Sequence, residues 1–159
     1  MRLTPVELRR AVEDPAWALE HLDALGEAWV EDDREPEEAR FLSVDKSWPG
    51  IEFVLALAGL PEETIHGTEP LQTTEDWDYG PPTYLTSAQV TAAAERLSAL
   101  PIADVVAAVD PELPRAAKLY QVGEWNDDDR DYVTYHALRL QRFYASAAMA
   151  GDALVVMLA

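Results

Sequence analysis

The chain has 159 residues, and its 30 acidic against 12 basic side chains give a formal net charge of −18. Nucleic acids and anionic membranes are bound by clustered lysine and arginine, so we expect this protein to bind neither. The sequence has no cysteine, which excludes disulfides and thiolate catalysis. No apolar run reaches the roughly 18 residues that span a bilayer, so we expect a cytoplasmic protein. The length fits one domain over residues 1–159.

The first 26 residues predict two helices. Thr4 and Glu7 have the spacing of a capping box, which opens a helix that ends near Glu13. Asp14 is predicted to cap a second helix, with proline at its first position. Gly26 is predicted to end that helix.

The centre of the chain predicts shorter elements. Apolar residues favour a helix over residues 48–58, which glycine and proline then end. Ile65 and His66 are predicted as a short strand, and residues 83–85 as another. Residues 61–82 between them are rich in proline, glycine, threonine and acid, which is typical of a loop.

Two more helices are predicted before a polar loop. Thr86 begins a second capping box, which opens a helix that runs through Leu97. A short helix follows over residues 102–108. Pro114 is predicted to mark a turn, and residues 123–131 are predicted to form the loop.

The clearest element is a helix over residues 131–150. Its apolar residues fall three or four positions apart, as one side of a helix requires: Val133, Ala137, Leu140, Tyr144 and Ala148. Gly151 is placed to end it, and the apolar run over residues 153–158 then predicts a buried central strand. A strand must pair, so the fold class we predict is α+β: a mainly helical single domain with helices packed around a small mixed sheet, in an α/β/α-like three-layer arrangement.

Another side of this last helix carries tyrosines and arginines: Tyr132, Tyr135, Arg139, Arg142 and Ser146. Tyrosine and arginine are frequent anchors in protein interfaces, so the stripe fits a partner surface. It fits equally well an internal role, in which the arginines neutralise acids of the same molecule.

Motifs for catalysis and for metal binding are not found. The sequence has no G-x-S-x-G, no phosphate-binding glycine loop and no H-E-x-x-H. The acids of residues 126–131 alternate as in a calcium loop, but Tyr132 and Leu138 stand where that loop needs glycine and glutamate. We therefore interpret these acids as a helix cap, and we expect no catalytic residue, no metal and no cofactor.

Six residues are candidates for binding a ligand or a partner. A lysine beside an aspartate, just before an aromatic helix start, and aromatic residues in a proline-rich loop are both features that occur at pockets. The candidates are Asp45, Lys46, Trp48, Trp77, Tyr79 and Tyr84. The structural alternative is that Asp45 caps a helix, that Lys46 forms a local ion pair, and that the aromatic residues anchor a long loop.

Three segments, in order, resemble one family. Residues 42–55 follow the pattern L-x-x-D-K-x-W-x-x-x-x-F-x-L, residues 80–86 read GPPTYLT, and residues 151–156 read GDALVV. This chain is similar in these segments to the YfbM-like family, also called domain of unknown function 1877. The resemblance implies an α+β fold with helices around a small sheet, and it implies no reaction.

The chain departs from that family pattern at two places. Family members often have histidine where this chain has Glu52. They also begin with a short apolar strand, and Met1 to Leu3 lie close to where that strand would end. We therefore predict an exposed sheet edge at this position.

The sequence favours a non-enzymatic module that docks a basic protein, for example as an inhibitor or immunity-like protein. Seven acids among residues 27–38, against Arg34 alone, would steer such a partner. The alternative function is a small-ligand-binding protein or an enzyme, with a pocket around Asp45, Lys46, Trp48 and the 77–84 loop. A third explanation is that the acids only keep the protein soluble.

Overall fold

The computed structural model describes residues 1–31, 34–72, 80–117, 119 and 125–157. In this part of the chain the helices are α1 (Pro5–Glu13), α2 (Pro15–Glu31), α3 (Trp48–Leu57), α4 (Glu63–His66), α5 (Ser87–Ser98), α6 (Ile102–Ala107), α7 (Glu112–Ala117) and α8 (Asp127–Ala150). The strands are β1 (Arg2–Leu3), β2 (Glu69–Pro70), β3 (Thr83–Leu85) and β4 (Ala153–Val156). The protein is a mainly helical α+β fold, as predicted.

The helix starts follow from local hydrogen bonds. Thr4 and Thr86 each accept from the backbone three residues later in a complete capping box, and Asp14 Oδ1 accepts from the backbone nitrogen of Trp17. Asn126 caps α8 in the same way, so this helix begins four residues before the predicted Asp131. Residues 127–131 are therefore helical and not part of the loop predicted over residues 123–131, of which residues 123 and 124 lie outside the described residues. The interpretation of the acids near residue 126 as a helix cap is thus confirmed.

Three further local predictions were wrong. Helix α2 does not end at Gly26 but continues to Glu31, because Gly26 has no left-handed backbone and packs beside Phe41. Ile65 and His66 are helical, in α4, rather than extended. Pro114 lies in the first turn of α7, where a proline removes no helical hydrogen bond, so it does not mark a turn.

The sheet has the order β1-β4-β3-β2, with β4 between β1 and β3 as a buried central strand. Every pairing is antiparallel, so the sheet is not mixed as expected. Local patterns reveal that a strand exists but not its direction relative to partners far along the chain. None of the helices in the described ranges is long and apolar enough to cross a membrane.

The sheet separates two apolar clusters. Successive residues of β4 point to opposite faces, so Leu154 joins the larger cluster and Val155 the smaller one. Helices α3, α5, α6 and α8 cover the larger cluster, and α1 and α2 cover the smaller. This is the three-layer arrangement that the sequence predicted.

The edge at β1 is not exposed, contrary to the prediction. Arg2 and Leu3 pair with β4, so a short first strand is present. On the outer side of β1, the backbone nitrogen of Arg2 donates to the carbonyl of Arg40 at 2.7 Å. The Arg40 guanidinium donates back to the Arg2 carbonyl at 3.0 Å. Both outward polar groups of Arg2 are therefore satisfied within the chain.

Candidate ligand-binding cavity

A cavity of about 410 Å³ lies between β4, helix α8 and the segment that precedes α3. Its lining is mostly apolar: Met1, Phe41, Leu42, Val44, Trp48, Ile65, Leu140, Phe143, Tyr144, Leu154, Val155, Val156 and Met157, with Ser43, Asp45, Lys46 and Thr64 as polar members. Concave apolar sites of this size with a few polar groups are typical of small-molecule binding.

The deep wall of the cavity is held by a buried hydrogen bond. Tyr144 on α8 is 2% exposed, and its hydroxyl donates to the Thr64 carbonyl at 2.7 Å. Burial raises the pKa of this hydroxyl, so it remains a donor at all physiological pH values. This bond fixes α4 against α8 and leaves the ring of Tyr144 as part of the wall.

The mouth is formed by a tight turn. Asp45, Lys46 and Ser47 form a single 3₁₀ turn before α3, and Asp45 has a left-handed backbone with φ of 48°. Its backbone nitrogen donates to Ser43 Oγ at 3.0 Å. Aspartate is among the few residues that adopt this conformation readily, so the residue type suits the turn.

The Asp45 carboxylate is oriented by helix α8. Tyr132 donates from its hydroxyl to Asp45 Oδ2 at 2.7 Å. This hydrogen bond is the main cause that lowers the pKa of Asp45, so the carboxylate is ionised at neutral pH. Burial, followed by the bond to Asp45, raises the pKa of Tyr132 to about 12. The mouth thus carries a fixed negative charge.

The neighbouring Lys46 is exposed, and the described residues give it no salt-bridge partner. In the described part of the chain, the local ion pair that was the structural alternative for Lys46 is not present as a salt bridge, although the charge of Lys46 helps to lower the pKa of Asp45. Asp45 does not cap α3 either, because the residue before that helix is Ser47, which makes no side-chain cap. Both charged side chains remain available at the mouth.

Trp48 is half-buried and contacts a second polar pair. Its ring lies edge-on to His66, with ring centroids 6.1 Å apart. His66 Nε2 is 2.9 Å from Glu52 Oε1. Glu52 is thus partnered by a histidine from α4.

The structure brings together three of the six candidate residues. Asp45, Lys46 and Trp48 all line the cavity. Tyr84 does not line it and packs against the smaller cluster. Trp77 and Tyr79 lie outside the described residues.

The Tyr and Arg stripe of α8 is mostly used inside the molecule. Arg142 lies 3.3 Å from Glu35 and 3.4 Å from Glu37, and Tyr132 holds Asp45. Arg139 donates to the hydroxyl of Tyr135 at 2.7 Å. The internal explanation, in which the arginines neutralise acids of the same molecule, therefore fits Arg142, whereas the described residues give Arg139 no acidic partner.

Much of the lining has no local signal in the sequence. Phe41, Thr64 and Phe143 come from three separate elements, and nothing local marks them as neighbours. The run over residues 153–158 did identify the strand that forms one wall. Among the described residues no group of three or more histidines or carboxylates could hold a metal ion.

Comparison with known proteins gives one match. Residues 1–157 match the family model described as domain of unknown function, DUF1877. No curated protein and no solved structure shows significant similarity to the chain. Since the match covers nearly all of its length, the chain belongs to the DUF1877 family.

Proposed function

We propose that this protein binds a small molecule with a mainly apolar body in the cavity beside β4. The observation that carries the proposal is the cavity itself, which is about 410 Å³ and mostly apolar. A concave site of this size with a mainly apolar lining and a few polar groups has the form of a small-molecule site.

The mouth of the cavity supports the same proposal. An apolar ligand gains affinity from the walls, whereas polar groups at the entrance set its orientation. Asp45 is held by Tyr132, and Lys46 has no salt-bridge partner among the described residues. The ligand therefore has an apolar body and one polar end at the 3₁₀ turn.

A neutral apolar dye tests this function directly. Phenylnaphthylamine fluoresces strongly in apolar sites, and we expect it to bind the wild-type protein with one saturable site. Val44 is half-buried and lines the cavity close to the mouth. The substitution Val44→Trp fills that space, so dye binding is expected to fall by at least about tenfold.

The matched control is Val6→Trp. Val6 is 70% exposed on α1 and lies away from the cavity, so dye binding is expected to stay as in wild type. Equal melting temperatures of the two variants would show that the fold is intact. Dye binding that survives Val44→Trp, or no dye binding by the wild type, contradicts the proposal.

A second candidate function is the docking of a basic protein along α2. Three exposed acids lie three and four residues apart, and so on one side of this helix: Glu20, Asp23 and Glu27. The described residues give these α2 acids no ion-pair partner. Together with the net charge of −18, they would attract a cationic surface.

Binding to lysozyme, a small cationic protein, tests this candidate. We expect binding at low ionic strength that weakens when all three α2 acids are neutralised to their amides. A control variant removes three exposed acids from other elements: Glu62→Gln, Glu95→Gln and Asp104→Asn. Equal losses in both variants would show that only the overall charge matters and would contradict a site on α2.

A further inference from the structure

We propose that the ligand of this cavity is an organic cation, a substituted amine or quaternary ammonium group attached to an apolar body. The inference rests on the proposed function and adds the chemical class of the ligand. It depends on three observations, which are the aromatic lining, the fixed carboxylate at the mouth and the charge of the whole molecule.

Four of the seventeen lining residues are aromatic. They are contributed by the segment before α3, by α3 and by α8: Phe41, Trp48, Phe143 and Tyr144. The face of an aromatic ring attracts a cation through the quadrupole of the ring, and aromatic-lined sites recognise quaternary ammonium groups for this reason. These walls can therefore hold both an apolar body and a cationic head.

The carboxylate of Asp45 supplies a negative charge in a fixed position. The 2.7 Å hydrogen bond from Tyr132 orients this group, and the pKa of Asp45 is lowered chiefly by that bond. A carboxylate that is already oriented loses little conformational entropy when a cation binds beside it. An ammonium group at the mouth would lie between Asp45 and the half-buried ring of Trp48, both of which line the cavity.

The positive charge of Lys46 repels a cationic ligand, but it does not determine which sign of ligand charge the cavity prefers. Its side chain is exposed and without a salt-bridge partner in the described ranges, so it is free to swing into solvent. The field of the whole molecule, with a net charge of −18, attracts cations and repels anions. The combined electrostatic effect of Asp45, Lys46 and the net charge favours a cation. Removal of Lys46 should strengthen the binding of that cation.

Three probes with the same alkyl chain separate the charge classes: octyltrimethylammonium, octanol and octanoate. We expect calorimetry at low ionic strength to show the cation binding about tenfold more tightly than the anion, with the neutral probe between them. Binding of the anion that is equal to or tighter than that of the cation would overturn the inference.

Variants of the mouth locate the effect. Asp45→Asn removes the charge while asparagine still tolerates the left-handed backbone, and we expect it to weaken cation binding by about two- to fivefold. Lys46→Gln is expected to tighten cation binding by about twofold. The matched control is Asp23→Asn, which removes the same charge from an exposed position on α2 that does not line the cavity. This control should change the affinity for the cation less than Asp45→Asn does.

Equal effects of Asp45→Asn and Asp23→Asn would overturn the role of the mouth carboxylate. The failure of this inference can be distinguished from failure of the proposed function. If phenylnaphthylamine binds the cavity and the cation does not, the cavity is a ligand site of another class. If neither binds, the proposed function fails as well.

Discussion

The hydroxyl of Tyr132 on α8 donates a 2.7 Å hydrogen bond to Oδ2 of Asp45, a residue 87 positions earlier in the chain. This bond ties the 3₁₀ turn at the cavity mouth to the long helix that forms one wall. The turn contains an aspartate in the left-handed conformation, with φ of 48°. The geometry of the mouth therefore depends on a contact between distant segments.

The substitution Tyr132→Phe tests this relationship. Because the hydroxyl is the largest influence that lowers the pKa of Asp45, its removal should raise that pKa toward the ordinary aspartate value. A titration of the side-chain carboxyl carbon by NMR measures the change. An unchanged pKa would mean that the bond does not form in solution.

Replacement of Gly26 should stabilise the protein. Gly26 lies inside α2, and a Cβ built there would be 3.7 Å from Cε2 of Phe41, an ordinary van der Waals contact. Alanine loses less backbone entropy than glycine on folding, so Gly26→Ala should raise the free energy of unfolding by about 0.5–1 kcal/mol. Urea denaturation measures this, and a loss of stability would show that the helix does not continue through residue 26.

Replacement of Gly67 should have the opposite effect. Gly67 follows α4 with φ of 69°, and a Cβ there would lie 2.9 Å from Cβ of Thr83. The backbone conformation and the close approach both disfavour a side chain, so Gly67→Ala should cost about 2 kcal/mol or more. A urea transition within error of that of the wild type would contradict the close packing of α4 against β3.

The Tyr144→Phe variant tests the buried bond in the deep wall. It leaves the Thr64 carbonyl without this donor and should lower the free energy of unfolding by about 1–3 kcal/mol. Tyr135→Phe is the control, because Tyr135 is 55% exposed on the same helix and its loss should cost under about 0.5 kcal/mol. Equal effects of the two substitutions would mean that the Tyr144 hydroxyl is solvated.

These residues show which parts of the structure can be predicted from sequence. The caps at Thr4 and Thr86 were identified because a capping box involves only residues within one turn, whereas the box of Asn126 with Asp129 was not recognised. The prediction that α2 ends at Gly26 was wrong because a glycine of this kind ends a helix where its backbone is left-handed. The backbone is left-handed at Gly151 and not at Gly26. The identity of a residue does not reveal which backbone conformation the surrounding contacts select.

The candidate site shows the same limit. Asp45, Lys46 and Trp48 were found together because they are neighbours in the sequence and occupy one turn. Tyr84 was assigned to the same pocket, but a one-residue alternation in β3 decides which face of the sheet a side chain occupies. Phe143 joins the same cavity only through tertiary packing, which has no local signal.

The central claim is that the cavity between β4 and α8 holds an apolar ligand. Methyl NMR of the protein during titration with phenylnaphthylamine tests this claim most directly. The claim predicts that the largest shifts occur at methyl groups of the lining, on Val44, Leu140 and Leu154. The methyl groups of Leu3 and Leu22, in the smaller cluster, should shift least. Shifts confined to Leu3 and Leu22, or no shifts at all, would contradict the claim.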